Sequence, residues 1–374
     1  QQTKKRQPRP IPGAVVSYPY RRKPKQAGAE RSAGSGLSIP TQPPEPALRT
    51  NPACYRTPMP NLHLRPMTPG DRPAVAQLIF TSTNHWYQQH IGQPIFTCAP
   101  EDCALFTDVY HALDPGQSVV VEDAATGRLA GSCFVHPRET HVSLGIMNAA
   151  PEYAGQGVAH RLLRYATDLA DARGLPTRLV SSAMNLDSFS LYNRAGFVPT
   201  AVYQDMLITV PDQGAAPPDL FADASQPPPP RVRPATLDDV PAIDALEQHV
   251  AGISRPNDWR YFIDNTAGHW YTAVAESTQG DITGVLTSIA NPASALVGPG
   301  VMHDDSAVLA LLHHQLNHRP GQTLVVLTPS SRPALTKQLY TWGARNCELH
   351  LTQVRGESPA VNGISTPTFM PETG

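Results

Sequence analysis

Residues 141–148 (HVSLGIMN) read as a strand and run into Pro151-Glu152-Tyr153-Ala154-Gly155-Gln156-Gly157-Val158-Ala159, which opens a helix-like stretch. Two glycines just ahead of a helix strip side chains from the turn. Backbone N–H groups can then close around an anion at the positive helix end, which suits a pyrophosphate. The same spacing opens dinucleotide-binding folds. Here, however, His160 stands where their third glycine would be, the turn lies deep in the chain, and no Gly-Lys-Ser/Thr makes a P-loop. Further on, Tyr192 sits in DSFSLYNRAG. A tyrosine of pKa near ~10 stays protonated at neutral pH and can give its proton to a leaving group as a reaction proceeds. Along HVSLGIM, alternation puts Val142, Leu144 and Ile146 on one face and His141, Ser143 and Gly145 on the other. His141 or Ser143 is thereby a candidate to face the cleft and take a proton from an ammonium group.

The elements that must position these residues are legible from periodicity. QSVVVEDAATGRLAGSCFVHP reads as a hairpin with Ala125-Thr126-Gly127 in its turn. AHRLLRYATDLADARG is an amphipathic helix ended by Gly174, TRLVSSAMN a strand, and DSFSLYNRAG a short helix ended by Gly196. Strands alternating with helices predict a mixed α/β layer fold with central parallel strands.

An internal repeat sets the larger organisation. RPMTPGDRPAVAQL (65–78) and RPATLDDVPAIDAL (233–246) agree at seven of fourteen positions. Duplicated domains are expected at 59–212 and 231–356, joined by a Pro-rich linker at 213–230, with residues 357–374 as a disordered tail. Residues 1–58 are expected to be a disordered basic segment: they carry 11 of the 29 Lys and Arg but two of the 31 acidic residues. They contain no methionine, so a natural start at Met59 is one reading and a basic tail that binds nucleic acid or membrane is the other. The remainder is net acidic, and the folded body is not expected to read nucleic acid.

With these motifs in hand, PEYAGQGVAHRLL followed by NLDSFSLYNRAGF resembles the two signature motifs of the GNAT acetyltransferases, over roughly residues 62–210. The resemblance implies two tandem domains, each a central mixed, partly splayed β-sheet flanked by helices. It implies an N-acyltransferase that moves an acetyl or short acyl group from acetyl-CoA to a primary amine within a ternary complex. Gly155, Gln156, Gly157, Val158 and Ala159 would grip the CoA pyrophosphate. Ile146, Met147 and Asn148 would pair with the pantetheine arm, Asn185 would contact cofactor or water, and Tyr192 would protonate the CoA thiolate. The stretch Asn84–His90 lies where family members often meet acceptors, and an aromatic core is its other reading. The motif usually opens with Arg or Gln; Ala154 stands there instead, leaving affinity to backbone amides and helix polarity. Acceptors are expected to be small-molecule or protein amines. A non-catalytic acyl-CoA sensor or scaffold is the alternative.

In the second half, Val297-Gly298-Pro299-Gly300 holds the place of the glycine turn, Pro299 removes a backbone donor, and Asp304 and Asp305 bring negative charge to the next helix. That half is expected to be degenerate. No metal is expected: His314 and His318 are four apart but lack further ligands, and the five cysteines form no C-x-x-C pair. Reduced cysteines and the lack of an apolar span predict a cytoplasmic protein without a membrane partner.

Overall fold

The computed structural model describes residues 61–222, 225, 227–368 and 370. The basic segment read at 1–58 lies outside the described residues. The first half runs β1 (Leu62–Pro66), α1 (Arg72–His90), α2 (Ala104–Leu113), β2 (Val119–Asp123), β3 (Arg128–Pro137), β4 (Val142–Ala149), α3 (Val158–Arg173), β5 (Thr177–Ser182), α4 (Leu186–Arg194) and β6 (Val198–Thr209). The second runs β7 (Arg231–Pro234), α5 (Val240–Ala251), α6 (Pro256–Asp264), β8 (Trp270–Glu276), β9 (Ile282–Asn291), β10 (Ser294–Met302), α7 (Asp305–Asn317), β11 (Thr323–Pro329), α8 (Pro333–Thr341), β12 (Arg345–Arg355) and a final β13 (Ile364–Thr366). The order of helices and strands is the same in both halves up to β13.

The sequence repeat marks one structural device used twice. Arg65 forks onto Asp71 (both contacts 2.8 Å) and reaches Glu122 (2.7 Å). Arg233 does the same with Asp239 (2.7 and 2.8 Å) and Glu276 (2.6 Å). In each copy the aspartate also accepts the N–H of the preceding Thr, Thr68 or Thr236, at 2.7 Å. The device pins an edge strand to the start of the helix that follows it. Alternation along β2 and β3 then separates two cores. Val120 and Phe134 join a cluster with Ile79, Tyr110, Trp259 and Phe262 that both halves share. Val119, Val121, Cys133 and Val135 face the other way, against Val158, Leu162 and Ala166 of α3. Helix α7 buries its own stripe, Val308, Leu311 and Leu312, in the corresponding cluster of the second half.

All the strands join one sheet in the order β1-β2-β3-β4-β5-β12-β6-β11-β10-β9-β8-β7, with β13 on β10. The pairs β4/β5 and β10/β11 are parallel, and the remaining pairs antiparallel. The halves interleave. Strand β12 of the second half lies between β5 and β6, with Leu351 opposite Ser181 and Val202, while β6 of the first half lies between β12 and β11. Neither half closes its sheet with its own last strand.

Two expectations are corrected. The stretch 297–300, read in the place of the glycine turn, lies within β10, with a bulge between Val297 and Gly300. Residues 357–368, read as tail, are ordered: β13 pairs Thr366, Ser365 and Ile364 with Gly300, Val301 and Met302, and Ile364, Thr366, Thr368 and Met370 are buried. Only Ser365 is less buried between Ile364 and Thr368, so no alternation runs long enough to outweigh the prolines around it. Among the described residues no helix is long and apolar enough to cross a membrane.

Candidate functional site

Strands β4 and β5 meet at two positions only, Val142 with Thr177 and Ser143 with Arg178. Just beyond, β4 carries one residue more than β3 between the pairs Val135–Leu144 and Cys133–Met147, a bulge at Gly145–Ile146. A bulge bends its strand, and β4 and β5 part into a wedge. At the far end of β4 stands the glycine turn. Gly155 (φ 75°) and Gly157 (φ 77°) are left-handed, and a Cβ at either would meet nothing within 4 Å. The glycines are therefore required by backbone angle, and the space before them is open. Arg161 N–H to Gly157 C=O (3.0 Å) is an early bond of α3, so the amides of Val158, Ala159 and His160 stand ahead of it. Gly131 of β3 seats this helix: a Cβ there would come within 2.5 Å of Val158 Cγ1 and 2.8 Å of the Asn148 carbonyl. The turn could hold a diphosphate, and the free edge of β4 could pair with an extended amide-bearing arm.

The second half lacks both features. At the N-terminus of α7 the Asp304 carboxylate accepts the Ala307 N–H at 2.9 Å, so an acid already caps the helix. The wedge beside β10 is taken by β13.

A cavity of about 310 Å³ opens at the wedge of the first half. Ile146, Met147, Asn185 and Tyr192 line one side. Asn185 caps α4 by accepting the Ser188 N–H at 3.0 Å, and the buried ring of Tyr192 packs against Phe197 with centroids 5.9 Å apart. Asn148 turns elsewhere, donating to Ser82 Oγ at 2.8 Å, so of the three predicted arm-binding residues it contributes backbone alone. Apolar side chains contribute most of the rest, Ile79, Ile95, Phe96 and Phe106 from the first half and Leu296 and Val325 from the second, with Thr97 and Ser294 among them. Tyr87, from the aromatic stretch, belongs to α1 itself and reaches the cavity.

Three ionisable side chains also line this cavity, none of them a candidate from sequence: Asp205 of β6 and Glu348 and His350 of β12. They are 3%, 3% and 7% exposed, and their ligand atoms lie within 4.8 Å of one another. Tyr87 Oη donates to Glu348 Oε2 at 2.7 Å, while Glu348 Oε1 is buried with no partner in hydrogen-bond geometry. His350 Nδ1 meets Asp205 Oδ1 at 2.9 Å. Burial pushes the Glu348 carboxyl above its ordinary value, outweighing its neighbours. Burial works against charge on His350 too, but Asp205 and Glu348 prevail and raise it. The trio can receive a proton or a small cation. The sequence signal was available in CELHLTQV, where Glu348 and His350 share a strand face; what it lacked was any sign that β12 crosses into the first half.

His141 and Ser143 are placed elsewhere. Both are buried ahead of the wedge, and neither lines the cavity. Ser143 is in register with His136 on one side and Arg178 on the other, and the second half covers this region through Ser254, whose N–H donates to Thr140 Oγ1 at 3.0 Å. Burial first, then Arg178, Arg255 and Arg138, hold the His141 pKa well below its usual value. The alternation holds for Val142 and Leu144, but the bulge turns Ile146 to the other face and puts Met147 in its place beside them, while the end of β4 that carries His141 and Ser143 is covered by the other half.

The acetyltransferase (GNAT) family model matches residues 83–197. No curated protein matches the sequence. A structure from Pyrococcus horikoshii assigned as an acetyltransferase superposes with TM-score 0.58 at 12% identity, covering 83% of this chain and 95% of that one. A GCN5-related N-acetyltransferase from Sphaerobacter thermophilus superposes with TM-score 0.54 at 18% identity, covering 81% and 97%. The likeness to these two is one of fold, and it extends over both halves.

Proposed function

We infer, from a chain whose residues 83–197 form a domain of the acetyltransferase (GNAT) family, that this protein transfers an acetyl or short acyl group from acetyl-CoA to a primary amine. The observation that carries the reading is one cavity, lined by both Tyr192 and Glu348, where β4 and β5 part. Acetyl-CoA supplies an activated acyl carbon on a thiol leaving group. The amides of Val158, Ala159 and His160, freed by Gly155 and Gly157, bind its pyrophosphate at the positive end of α3. Gln156 belongs to the same turn, and its side chain is already engaged with the Glu152 carbonyl (3.3 Å). The open edge of β4 at Ile146, Met147 and Asn148 pairs with the pantetheine amides, as a third strand would. Asn185, by capping α4, fixes the helix that carries Tyr192. Tyr192 gives its phenolic proton to the thiolate as the C–S bond breaks. With Ala154 at the head of the turn, no side-chain cation reinforces the cradle there.

The test is paired: titrate acetyl-CoA into the full chain by calorimetry, then follow free-thiol release with a panel of amines. Saturable binding with amine-dependent thiol release is expected. Binding without turnover across the panel would leave an acyl-CoA sensor or scaffold instead, and no binding would remove the reading.

A further inference from the structure

We propose that the second half, through β12, builds the acceptor site of the first: Glu348 takes the acceptor's ammonium proton, and the acceptor is a small primary amine with an apolar body. The inference rests on the acyl-transfer reading above and specifies its substrate.

Depth sets the size. Glu348, Asp205 and His350 are nearly inaccessible, in a cavity of about 310 Å³ that the acyl group must share. This is the small end of the roughly 300–1,000 Å³ typical of ligand sites, so an amine reaches the trio only on a slim body. Charge sets the head group. Glu348 Oε2 is engaged by Tyr87, Asp205 is engaged by His350, and Ser182 also lies by the Glu348 carboxylate, but no donor reaches Glu348 Oε1 in hydrogen-bond geometry. An ammonium brings three donors and would satisfy that oxygen. The walls set the body. Ile79, Phe96, Phe106 and Leu296 offer no hydrogen-bond partners from their side chains, so an amine body laid against them takes any hydroxyl it carries there out of water, although Thr97 and Ser294 also border the cavity. An alkyl or arylalkyl chain loses nothing there.

The same geometry divides the proton work. His350 is paired with Asp205 through Nδ1, and Asp205 and Glu348 raise its pKa, which favours the imidazolium and makes it the poorer acceptor of a further proton. Glu348 is the base, made stronger than an exposed carboxylate by burial and oriented by Tyr87. One ammonium proton passes to Glu348. The freed nitrogen lone pair bonds to the acyl carbon, the C–S pair leaves on sulfur, and sulfur takes the Tyr192 proton. The second nitrogen proton restores Tyr192, so the products are the amide, CoA thiol and one proton released from Glu348 to solvent.

The experiment uses the full chain with acetyl-CoA and four acceptors: phenethylamine, hexylamine, glucosamine and a lysine-containing peptide. The two apolar amines are expected to turn over with kcat/KM at least about 100-fold above the other two. Glu348→Gln is expected to keep acetyl-CoA affinity within about twofold and lower amine kcat/KM by about 100-fold or more near neutral pH. The deficit should shrink as pH rises towards the amine's own pKa, where unprotonated acceptor arrives without needing a base. If the variant does not fold, the wild-type acceptor ranking still decides. A preference for glucosamine or peptide, or an unchanged rate and pH profile in Glu348→Gln, overturns the proposal while leaving acyl transfer intact. Turnover abolished by a chelator and restored by zinc also overturns it, because the trio would then be metal ligands. Failure of acetyl-CoA to bind wild type overturns both readings.

Discussion

Replacing Gly157 by Glu separates fold from cradle. The residue sits at φ 77° with open space before it, so the cost to folding is confined to backbone strain, about 1–2 kcal/mol for a non-glycine residue in the left-handed region. The effect on binding is larger in kind. A carboxylate at the helix start lies about 5 Å from where a phosphate charge would rest, and Coulomb's law at an effective dielectric of about 20–80 gives a repulsion of roughly 1–3 kcal/mol. That predicts a loss of roughly 5- to 150-fold in acetyl-CoA affinity, with Tm lowered by a few degrees. The control is Asp304→Gly in the second half, which costs only about a few tenths of a kcal/mol in capping and is expected to leave both affinity and a stoichiometry of one acetyl-CoA per chain unchanged. Calorimetry reads affinity and stoichiometry, and thermal unfolding reads the fold. Wild-type affinity in Gly157→Glu, or two sites per chain in wild type, would refute the assignment of the cradle to α3.

Tyr192→Phe is expected to keep acetyl-CoA binding and lose about 100-fold or more in turnover; unchanged thiol release would remove the acid role. Asp258→Ala should cost about 3–5 kcal/mol in chemical unfolding, because Arg138, clasped between Asp114 and Asp258 at 2.6 Å each, would keep its burial with one partner gone. Asp71, held down to about pH 2 by Arg65, contributes stability that is full above its unfolded pKa near ~4 and is lost as pH falls through about 2. Asp71→Asn should flatten that acid limb, and Asp239→Asn should match it, since Arg233 holds its partner down to about 2 in the same way; unequal effects in acid titrations would count against the shared device.

The sequence carried everything that depends on local geometry. Gly155 and Gly157 announced a left-handed turn before α3, Gly174 and Gly196 ended their helices with positive φ, and the hairpin turned at Gly127, because backbone angle restricts residue choice position by position. The repeat around Arg65 and Arg233 was legible for a similar reason: a forked ion pair needs its residues at fixed offsets. What local pattern cannot express is which strand lies beside which. Glu348 and His350 look like ordinary polar strand residues until β12 is slotted against β5, and His141 looks available until the second half covers it. The partnership of Tyr87 with Glu348 spans 261 residues and leaves no trace in spacing. Residues 357–368 were misread because prolines and small residues suggest a loose end, whereas the edge left on β10 gives three of them a ladder to join.

The position of β12 also bears on when the protein becomes competent. As the chain is synthesised, β1 to β6 emerge first, but β5 lacks its neighbour until Arg345–Arg355 arrives, and the pair Thr177–Arg355 closes a loop of 178 residues. Contacts so distant in sequence form late, since the entropy of closing the loop is lost before the ladder rewards it. The floor of the cavity, with Glu348, is thus completed last. A chain caught mid-synthesis or truncated before β12 would hold the turn for the donor without the base for the acceptor.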